Sequence, residues 1–363
     1  KALPRATREG LPINVAVIRG TCADERGNIS IEEEALKLEL LEAALAAKAS
    51  GGKVIVQVKH VVANNSIKAK DVFVPGEIVD AVVVCEDVAE YHRQTAVTVY
   101  SPFMSGELRC PSRDVAKPAE VLGPEDIVCR RAVFEIKKGD IINVGVGIGS
   151  GVGSVAAVEG ITNDVTFTLE LGAFGGTPQG KGDFGASINA TSYISHTSMF
   201  DYYHSGQLDV AFLGSAEIDA EGNVNVSRFG GRAAGQGGFI DISQTARKVV
   251  FCTTFTTKNL DVAVADGKVV IKNEGKIQKF VDKVEQITFN GKLAREKGQE
   301  VVICTERCVF KLVKDGVMLT EIAPGVDLEK DILANMGFKP LISEDLKVMD
   351  GRIFIPGRMG CFD

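Results

Sequence analysis

A strand–turn–strand unit occurs twice in this chain, and the repeat constrains the fold more than any other feature. Residues 15–31 align without gaps to residues 210–226, and each copy holds two apolar strands joined through an Asp-x-x-Gly-Asn turn. Gly and Asn tolerate positive φ, and an Asp side chain can accept hydrogen bonds from its own turn. A further apolar strand follows each copy, at residues 53–58 and 248–252. The repeat therefore predicts two domains of similar fold.

The segments around the repeat predict alternating helices and strands. A helix is predicted over residues 32–48, with Gly51 and Gly52 as its stop. Its apolar stripe would consist of Leu38, Leu41, Ala44 and Leu45. A second helix is predicted from Gly123-Pro124 to about residue 136, followed by a strand over residues 141–146 that leads into glycines. This order predicts an α/β fold of two similar open domains with mostly parallel sheets.

The two predicted domains are unequal. A long leader precedes the second copy of the repeat, whereas only 14 residues precede the first copy. Because a half-built sheet would leave an unpaired edge and an uncovered apolar face, we expect the beginning of the first domain to be absent. Residues 1–117 are then the C-terminal part of a first domain plus a linker, and residues 118–363 are the second domain. A companion N-terminal fragment is one way to supply the rest.

Composition and charge exclude several classes of protein. The net charge of −7 is spread over mixed signs, without the basic stripe of a nucleic-acid-binding protein. No run of about 18 apolar residues predicts a membrane span. Residues 1–5 lack the apolar stretch of a secretory signal, and the missing initiator Met indicates a trimmed or incomplete chain.

The cysteines and histidines narrow the chemistry. The eight scattered cysteines are typical of reduced, buried thiols in a cytoplasmic protein. Cys304 and Cys308 have the spacing of a ligand pair but no second pair nearby, so no metal site is expected. With four histidines in the chain, a mechanism that needs several of them is disfavoured.

Glu170 is the strongest candidate for catalysis. It follows the apolar, β-branched run 165–169 and precedes Gly172, Gly175 and Gly176. Burial at the end of such a strand would raise the pKa of the carboxyl group unless nearby donors stabilise the anion, and a desolvated carboxylate is a better nucleophile. The alternative is an ordinary residue at a strand end, pointing into solvent.

Two glycine-rich segments accompany Glu170. Residues 145–153 hold five glycines and match neither the phosphate loop nor the dinucleotide fingerprint. Read from Gly151, this segment could begin a helix whose free N–H groups suit a phosphate. Residues 230–238 form a second cluster, whose backbone amides could approach a substrate oxygen. Each segment could instead be a turn required only for packing.

Taken together, these segments resemble the family I CoA-transferases, in particular the single-chain short-chain acyl-CoA (acetate/propionate) CoA-transferases. The resemblance is carried, in order along the chain, by residues 100–109, 143–156, 168–176, 200–209, 221–226 and 235–239. One departure lies at residues 147–152, where Gly-Ile-Gly-Ser-Gly-Val stands in place of the Gly-Ile-Pro-Glu-Gly-Val often found in the family. This exchange predicts a more flexible loop.

The resemblance implies a reaction and its residues. CoA would move from a short-chain acyl-CoA to a free carboxylate through a glutamyl-CoA thioester on Glu170. The backbone N–H of Gly235 would act as oxyanion donor, and residues 151–155 (Gly151, Val152, Gly153, Ser154 and Val155) would contact CoA. Coenzyme A is then a substrate, no other cofactor is expected, and a homo-oligomer is implied. The alternative is a CoA- or sugar-phosphate-binding regulatory protein or isomerase of a related α/β fold.

Overall fold

The computed structural model describes residues 11–363, and the chain divides into two compact units, Lys1–Glu107 and Leu108–Asp363. The predictions about residues 1–5 lie outside the described residues. Residues 108–117, assigned above to the first domain and its linker, fall in the second unit, and a domain boundary after residue 117 stays a prediction. Within residues 11–363, no helix is long and apolar enough to cross a membrane.

The first unit contains a three-stranded parallel sheet in the order β1-β4-β6 and a smaller sheet in the order β3-β2-β5. Its strands are β1 (Val15–Arg19), β2 (Cys22–Asp24), β3 (Ile29–Ser30), β4 (Lys53–Val58), β5 (His60–Val62) and β6 (Ala81–Val84). Its helices are α1 (Leu40–Ala49), α2 (Val88–Tyr91) and α3 (Pro102–Ser105), with a 3₁₀ turn at Gly76–Ile78. Helix α1 packs on β1 and β4, while Val17 of β1 is 75% exposed.

Helix α1 corrects the predicted helix over residues 32–48. It begins only at Leu40, because Leu38 has a left-handed φ of 51°, which interrupts a right-handed helix. The predicted leucine stripe is also wrong, since Leu45 is 49% exposed and Ala44 and Ala47 form the buried face. The predicted stop is confirmed: the helix ends at Ala49, and Gly51 follows with a φ of 73°.

The second unit is built on a ten-stranded sheet in the order β12-β9-β8-β7-β13-β18-β23-β24-β25-β26. These strands are β7 (Ile141–Val144), β8 (Thr166–Thr168), β9 (Ala173–Phe174), β12 (Ser192–Tyr193), β13 (Val210–Leu213), β18 (Lys248–Cys252), β23 (Glu300–Cys304), β24 (Cys308–Val313), β25 (Gly316–Ile322) and β26 (Leu341–Val348). Strands β8, β7, β13, β18 and β23 run parallel, which confirms the predicted α/β fold with a mostly parallel sheet.

Shorter elements complete the second unit. The short strands are β10 (Thr177–Pro178), β11 (Ser187–Ile188), β14 (Glu217–Ile218), β15 (Val224–Asn225), β16 (Arg228–Phe229), β17 (Arg232–Ala233), β19 (Thr256–Thr257), β20 (Asp261–Ala265), β21 (Lys268–Asn273) and β22 (Ile277–Gln278). The α-helices are α4 (Ser112–Val115), α5 (Pro124–Ala132), α6 (Gly151–Glu159), α7 (His196–His204), α8 (Phe239–Thr245) and α9 (Gly291–Glu296). Single turns of 3₁₀ or π helix lie at Val133–Glu135, Ile148–Ser150, Lys181–Asp183, Leu328–Ile332, Leu333–Asn335 and Gly351–Phe354.

The predicted repeat is confirmed in three dimensions. Strand β1 pairs with β4 from Val15↔Lys53, and β13 pairs with β18 from Val210↔Lys248, in the same parallel register. In the first copy, the Asp24 carboxylate accepts hydrogen bonds from three N–H groups of residues 26 and 28; in the second, Asp219 accepts the equivalent three from residues 221 and 223. The glycines of both turns have positive φ, as the turn chemistry requires.

The repeat also extends further along each unit than the sequence indicates. Asn28 accepts a hydrogen bond from the backbone N–H of Gly76, and Asn223 accepts the equivalent bond from Gly291. A Cβ atom at either glycine would lie within 2.3 Å of a carbonyl oxygen in the turn. The two units therefore share a core of three strands, a turn and a glycine contact.

Candidate active site

Glu170 lies at the carboxyl edge of the ten-stranded sheet. It follows β8 by two residues, and Gly145 follows the neighbouring strand β7 by one. Since β7 and β8 are parallel and pair at Asn143↔Thr168, their carboxyl ends open at the same edge. The candidate carboxylate and the first glycine-rich segment thus begin side by side.

The Glu170 side chain is half-buried, and its surroundings perturb its acidity. Burial raises the pKa of the Glu170 carboxyl group above its usual value, and the nearby His196 opposes this effect by a smaller amount. The Oε2 atom of Glu170 lies so close to Gly238 that a Cβ atom on that glycine would be only 2.4 Å away. The carboxylate is therefore partly removed from water and in contact with glycine backbone.

A directional hydrogen-bond network lies beneath Glu170. The Asn143 side-chain amide donates to the Tyr203 hydroxyl, Tyr203 donates to the Thr168 hydroxyl, and Thr168 donates to the carbonyl of Ile142, each at 2.9 Å. The network ends at a backbone carbonyl, which can only accept a hydrogen bond, and this end fixes the direction of each donation in the network. The network ties β7, β8 and α7 together, and the Glu170 charge also contributes to the raised pKa of Tyr203, which burial dominates.

The second glycine cluster reaches Glu170 through Gly238 rather than Gly235. The Gly235 N–H donates to the carbonyl of Ser227 at 3.1 Å, so the oxyanion role assigned to it stays a prediction that requires this bond to open or be shared. In the described chain, the N–H groups of Gln236, Gly237 and Gly238 have no acceptor. Gly238 lies next to the Glu170 carboxylate, and these free amides are candidates for the same role.

The first glycine-rich segment forms a 3₁₀ turn and then helix α6, which begins at Gly151 as the pattern indicates. Gly149 packs so closely on β13 that a Cβ would lie 2.6 Å from the Phe212 carbonyl oxygen. The Ser150 hydroxyl donates to the Gly147 carbonyl at 2.7 Å. Glycine at position 149 thus serves a tight contact, which gives a physical reason for the departure from the family pattern.

A cavity of about 660 Å³ lies beside α6. The predicted CoA-contacting residues form two groups, those that line this cavity and those that do not. Gly151, Ser154 and Val155 line this cavity. Val152 is fully buried, and a Cβ at Gly153 would meet Pro178 at 2.9 Å, so these two face the protein interior. Contact of all five with CoA stays a prediction.

The charged side chains around the cavity are of both signs. Glu125 and Asp126 line it together with Lys117, Arg130 and Lys181. The Arg130 guanidinium is already used, because it donates to the carbonyls of four residues between 352 and 357. Lys117 and Lys181 form no ion pair within the described residues, so they are the cations available to an anionic ligand.

Several residues around Glu170 were not predicted from sequence. No role is predicted above for individual side chains of helix α7, yet its Phe200 contacts the Gly238 position and its His196 acts on the carboxylate. The sequence feature that could have pointed to these residues is Gly238, which lies within the predicted glycine cluster. Among residues 11–363, no three His, Cys, Asp or Glu side chains are grouped to hold a metal ion.

Comparisons with known proteins identify relatives over nearly the whole chain. No family model matches it. Caffeate CoA-transferase of Acetobacterium woodii is 48% identical over 347 residues, covering 94% of this chain and 66% of that protein. Acetate CoA-transferase YdiF of Escherichia coli strain K12 is 44% identical over 348 residues, covering 96% of this chain and 64% of the relative.

A solved structure agrees with these sequence relatives. The crystal structure of acyl-CoA transferase YdiF from E. coli O157:H7, as a thioester complex with CoA, superposes with a TM-score of 0.86 at 42% identity, covering 96% of this chain and 65% of that one. Its apoenzyme superposes with a TM-score of 0.85.

The parallel α/β sheet with a desolvated carboxylate between glycine loops defines a class of protein suited to acyl transfer. With these relatives, the chain belongs to the family I CoA-transferases. It spans 64 to 66% of the length of the curated relatives it matches.

Proposed function

We propose that this chain carries the catalytic carboxylate of an enzyme that transfers CoA from a short-chain acyl-CoA to a free carboxylate. The observation that carries the proposal is the Glu170 side chain, which is half-buried, has a pKa raised by burial and contacts Gly238. Such an anion is poorly solvated and correspondingly nucleophilic. Family membership and the names of the relatives support the same reaction.

The proposed reaction proceeds by covalent catalysis on Glu170. A carboxylate oxygen attacks the thioester carbonyl carbon, the C–S bond breaks, and a mixed anhydride and CoA thiolate result. The thiolate then attacks the Glu170 carbonyl carbon and releases the first carboxylic acid as its anion, which leaves a glutamyl-CoA thioester. An incoming carboxylate reverses these steps and departs as the new acyl-CoA.

No general base is needed in this scheme, because every attacking group is already an anion. What each step needs is stabilisation of the oxyanion on the tetrahedral intermediate, and a single donor of this kind contributes roughly 3 kcal/mol. We assign this role to the backbone amides of residues 235–238. Gly238, which lies next to Glu170, and Gly237 have free N–H groups, and Gly235 is a further donor.

We further propose that CoA uses the cavity beside α6. Gly151, Ser154 and Val155 supply its glycine-rich wall, and the unpaired Lys117 and Lys181 supply positive charge for phosphate groups. The remaining predicted residues, Val152 and Gly153, would contribute through the helix backbone rather than through side chains.

Partners and location are also proposals. The face of the β1-β4-β6 sheet that exposes Val17 and Val83 supports completion of the first domain by a companion α/β segment, since both faces of a parallel sheet are normally covered. We also propose a homo-oligomer, which native mass spectrometry would measure. All eight cysteines are unpaired thiols, which supports a reducing, cytoplasmic location.

The proposed function is tested by trapping the thioester. The protein is incubated with acetyl-CoA without acceptor, reduced with borohydride and digested, and we expect the glutamate at position 170 to be recovered as the corresponding alcohol. Glu170→Ala should abolish both the modification and transfer, with unchanged circular dichroism. Glu329→Ala, an exposed acid far along the chain, serves as the control. Ordinary transfer by Glu170→Ala, or an unmodified Glu170 in the active wild type, would refute the proposal.

A further inference from the structure

A lysine amine lies at the carboxyl edge of the ten-stranded sheet, outside the residues assigned above. Lys279 Nζ donates to the Thr253 hydroxyl at 2.8 Å and lies 3.4 Å from the Ser215 carbonyl oxygen. Ser215 follows β13 and Thr253 follows β18, so the amine bridges the carboxyl ends of two adjacent parallel strands. An ammonium has three donors, and the described residues use two of them.

This amine is an unusual cation for a folded protein. No carboxylate among residues 11–363 lies within 4.0 Å of Nζ. Burial lowers the pKa of Lys279 to about 8, although the charges of Glu306 and Glu125 act in the opposite direction. A desolvated cation without a counter-ion costs stability unless something compensates it.

A second unused donor lies beside the amine. The Ser215 hydroxyl oxygen is buried and has no hydrogen-bond partner in the described chain. Its neighbour Gly214 approaches the Val146 carbonyl, and Val146 and Glu125 both line the cavity beside α6. The hydroxyl thus belongs to a segment that adjoins a residue of the cavity wall, and the amine lies close enough to Glu125 to respond to its charge.

The topology of the sheet places Ser215 where α/β sheets bind ligands. Strands β7 and β13 are neighbours, but β7 leads through α6 to β8 on one side, while β13 leads through α8 to β18 on the other. Connections that leave in opposite directions open a crevice outside the carboxyl ends of the two strands. Ser215 lies at this crevice.

The charges around the amine select the kind of anion. Glu306 is fully buried and ion-paired with Arg307, and Glu125 lies on the cavity wall; both carboxylates act electrostatically on Lys279. Their negative potential opposes a phosphate dianion more strongly than a monoanion. One ammonium and one hydroxyl also match the two oxygens of a single carboxylate.

We infer that Lys279 and the Ser215 hydroxyl form a binding subsite for the carboxylate of the acid acceptor. This inference rests on the proposed function for the identity of the ligand. Lys279 then acts on acceptor binding, while Glu170 and the glycine amides act on the acyl transfer itself.

Kinetics of the separate half-reactions test the inference. Lys279→Met should raise KM for acetate or propionate roughly 10- to 100-fold, the loss expected for a charged hydrogen bond, and leave borohydride trapping of Glu170 by acetyl-CoA unchanged. Ser215→Ala should raise the same KM by a smaller factor. Lys276→Met, an exposed lysine three residues away, is the matched control. An unchanged acceptor KM in a folded Lys279→Met variant overturns the inference.

A binding measurement separates this inference from the proposed function. Lysines of the whole protein are reductively methylated with ¹³C-formaldehyde, and the Lys279 signal is identified by its absence in Lys279→Met. Acetate should shift this signal and raise the pH of its half-titration above its value in the free protein. If wild type cannot be trapped at Glu170, the proposed function fails, and this titration still decides the subsite. No response to acetate, or a stronger response to inorganic phosphate, rejects it.

Discussion

At the scale of single residues, Glu170 illustrates a conflict between stability and reactivity. Because burial raises its pKa, the folded protein holds a proton on this group at a pH where the unfolded chain has released it. Its contribution to stability is therefore greatest below the unfolded pKa and declines as pH rises through the folded pKa. At neutral pH the ionised carboxylate lowers the stability of the fold.

Glu170→Gln should accordingly be inactive but more stable than the wild type. The amide keeps the shape without the buried charge, and such gains at functional residues are commonly about 0.5–2 kcal/mol. Denaturant unfolding at pH 7 and pH 4 measures the effect, and the advantage of the variant should shrink at the lower pH. A less stable Gln variant at pH 7 would contradict the electrostatic account.

We predict that Tyr203 positions the ends of strands β7 and β8 near Glu170. Tyr203→Phe removes the hydroxyl that joins Asn143 to Thr168 and leaves a buried amide donor unsatisfied, at a cost of about 1–3 kcal/mol in the free energy of unfolding. We expect kcat to fall while KM for acyl-CoA changes little. Tyr202→Phe is the control, since its hydroxyl makes no hydrogen bond to a described residue. Equal effects of the two substitutions would argue against a role for the network.

Predictions for single residues were correct where the local sequence pattern determines the hydrogen bonds. The Asp-x-x-Gly-Asn turns were predicted from their local bonding, and the structure contains those hydrogen bonds. The catalytic role of Glu170, which rests on its position between an apolar strand and glycines, stays a prediction. Gly238, Tyr203 and Lys279 act through contacts between residues 26 to 68 positions apart in the chain, and no local pattern contains that information. The leucine stripe of α1 failed because the two alanines allow a closer approach to the sheet.

At the scale of elements, the start of α8 is held against β8 through a contact that only glycine permits. A Cβ at Gly238 would lie 2.4 Å from Glu170 Oε2 and 2.7 Å from Phe200 Cζ. Gly238→Ala should therefore displace the carboxylate and reduce kcat by about 100-fold, as small misplacements of reacting groups do. Gly351→Ala, which meets open space, should leave kcat unchanged. Activity of Gly238→Ala close to wild type would show that the loop can move aside.

The C-terminal segment is fastened to the two helices that line the cavity. Arg130 of α5 donates to four of its carbonyls, and the buried Glu159 of α6 accepts from the backbone N–H groups of residues 359–361. Arg130→Met should cost at least about 2 kcal/mol, because several buried carbonyls lose a charged donor. Arg247→Met, which removes an exposed ion pair, should cost less than about 1 kcal/mol. Chemical denaturation compares the two; similar losses would mean that the segment does not depend on Arg130.

At the scale of the whole molecule, the paired strands of the two units have the same register, but their sheets are buried to different extents. Strand β18 lies inside the ten-stranded sheet, and its residues 249–252 are buried. Strand β4 lies in a three-stranded sheet with exposed side chains on the neighbouring β1 and β6. We expect lower hydrogen-exchange protection in β4 than in β18, because less apolar surface is lost from water around it. Equal protection would indicate that the first unit is covered in solution, and exchange measured together with native mass spectrometry would reveal by what.

A comparison of the two copies of the turn separates features of the fold from features of the site around Glu170. Asp24 and Asp219 make the same bonds, and the glycines at 76 and 291 close on their turns in the same way, yet only the second copy belongs to the sheet that carries Glu170. The turn and its glycine contact therefore belong to the fold that the two units share, rather than to the site around Glu170.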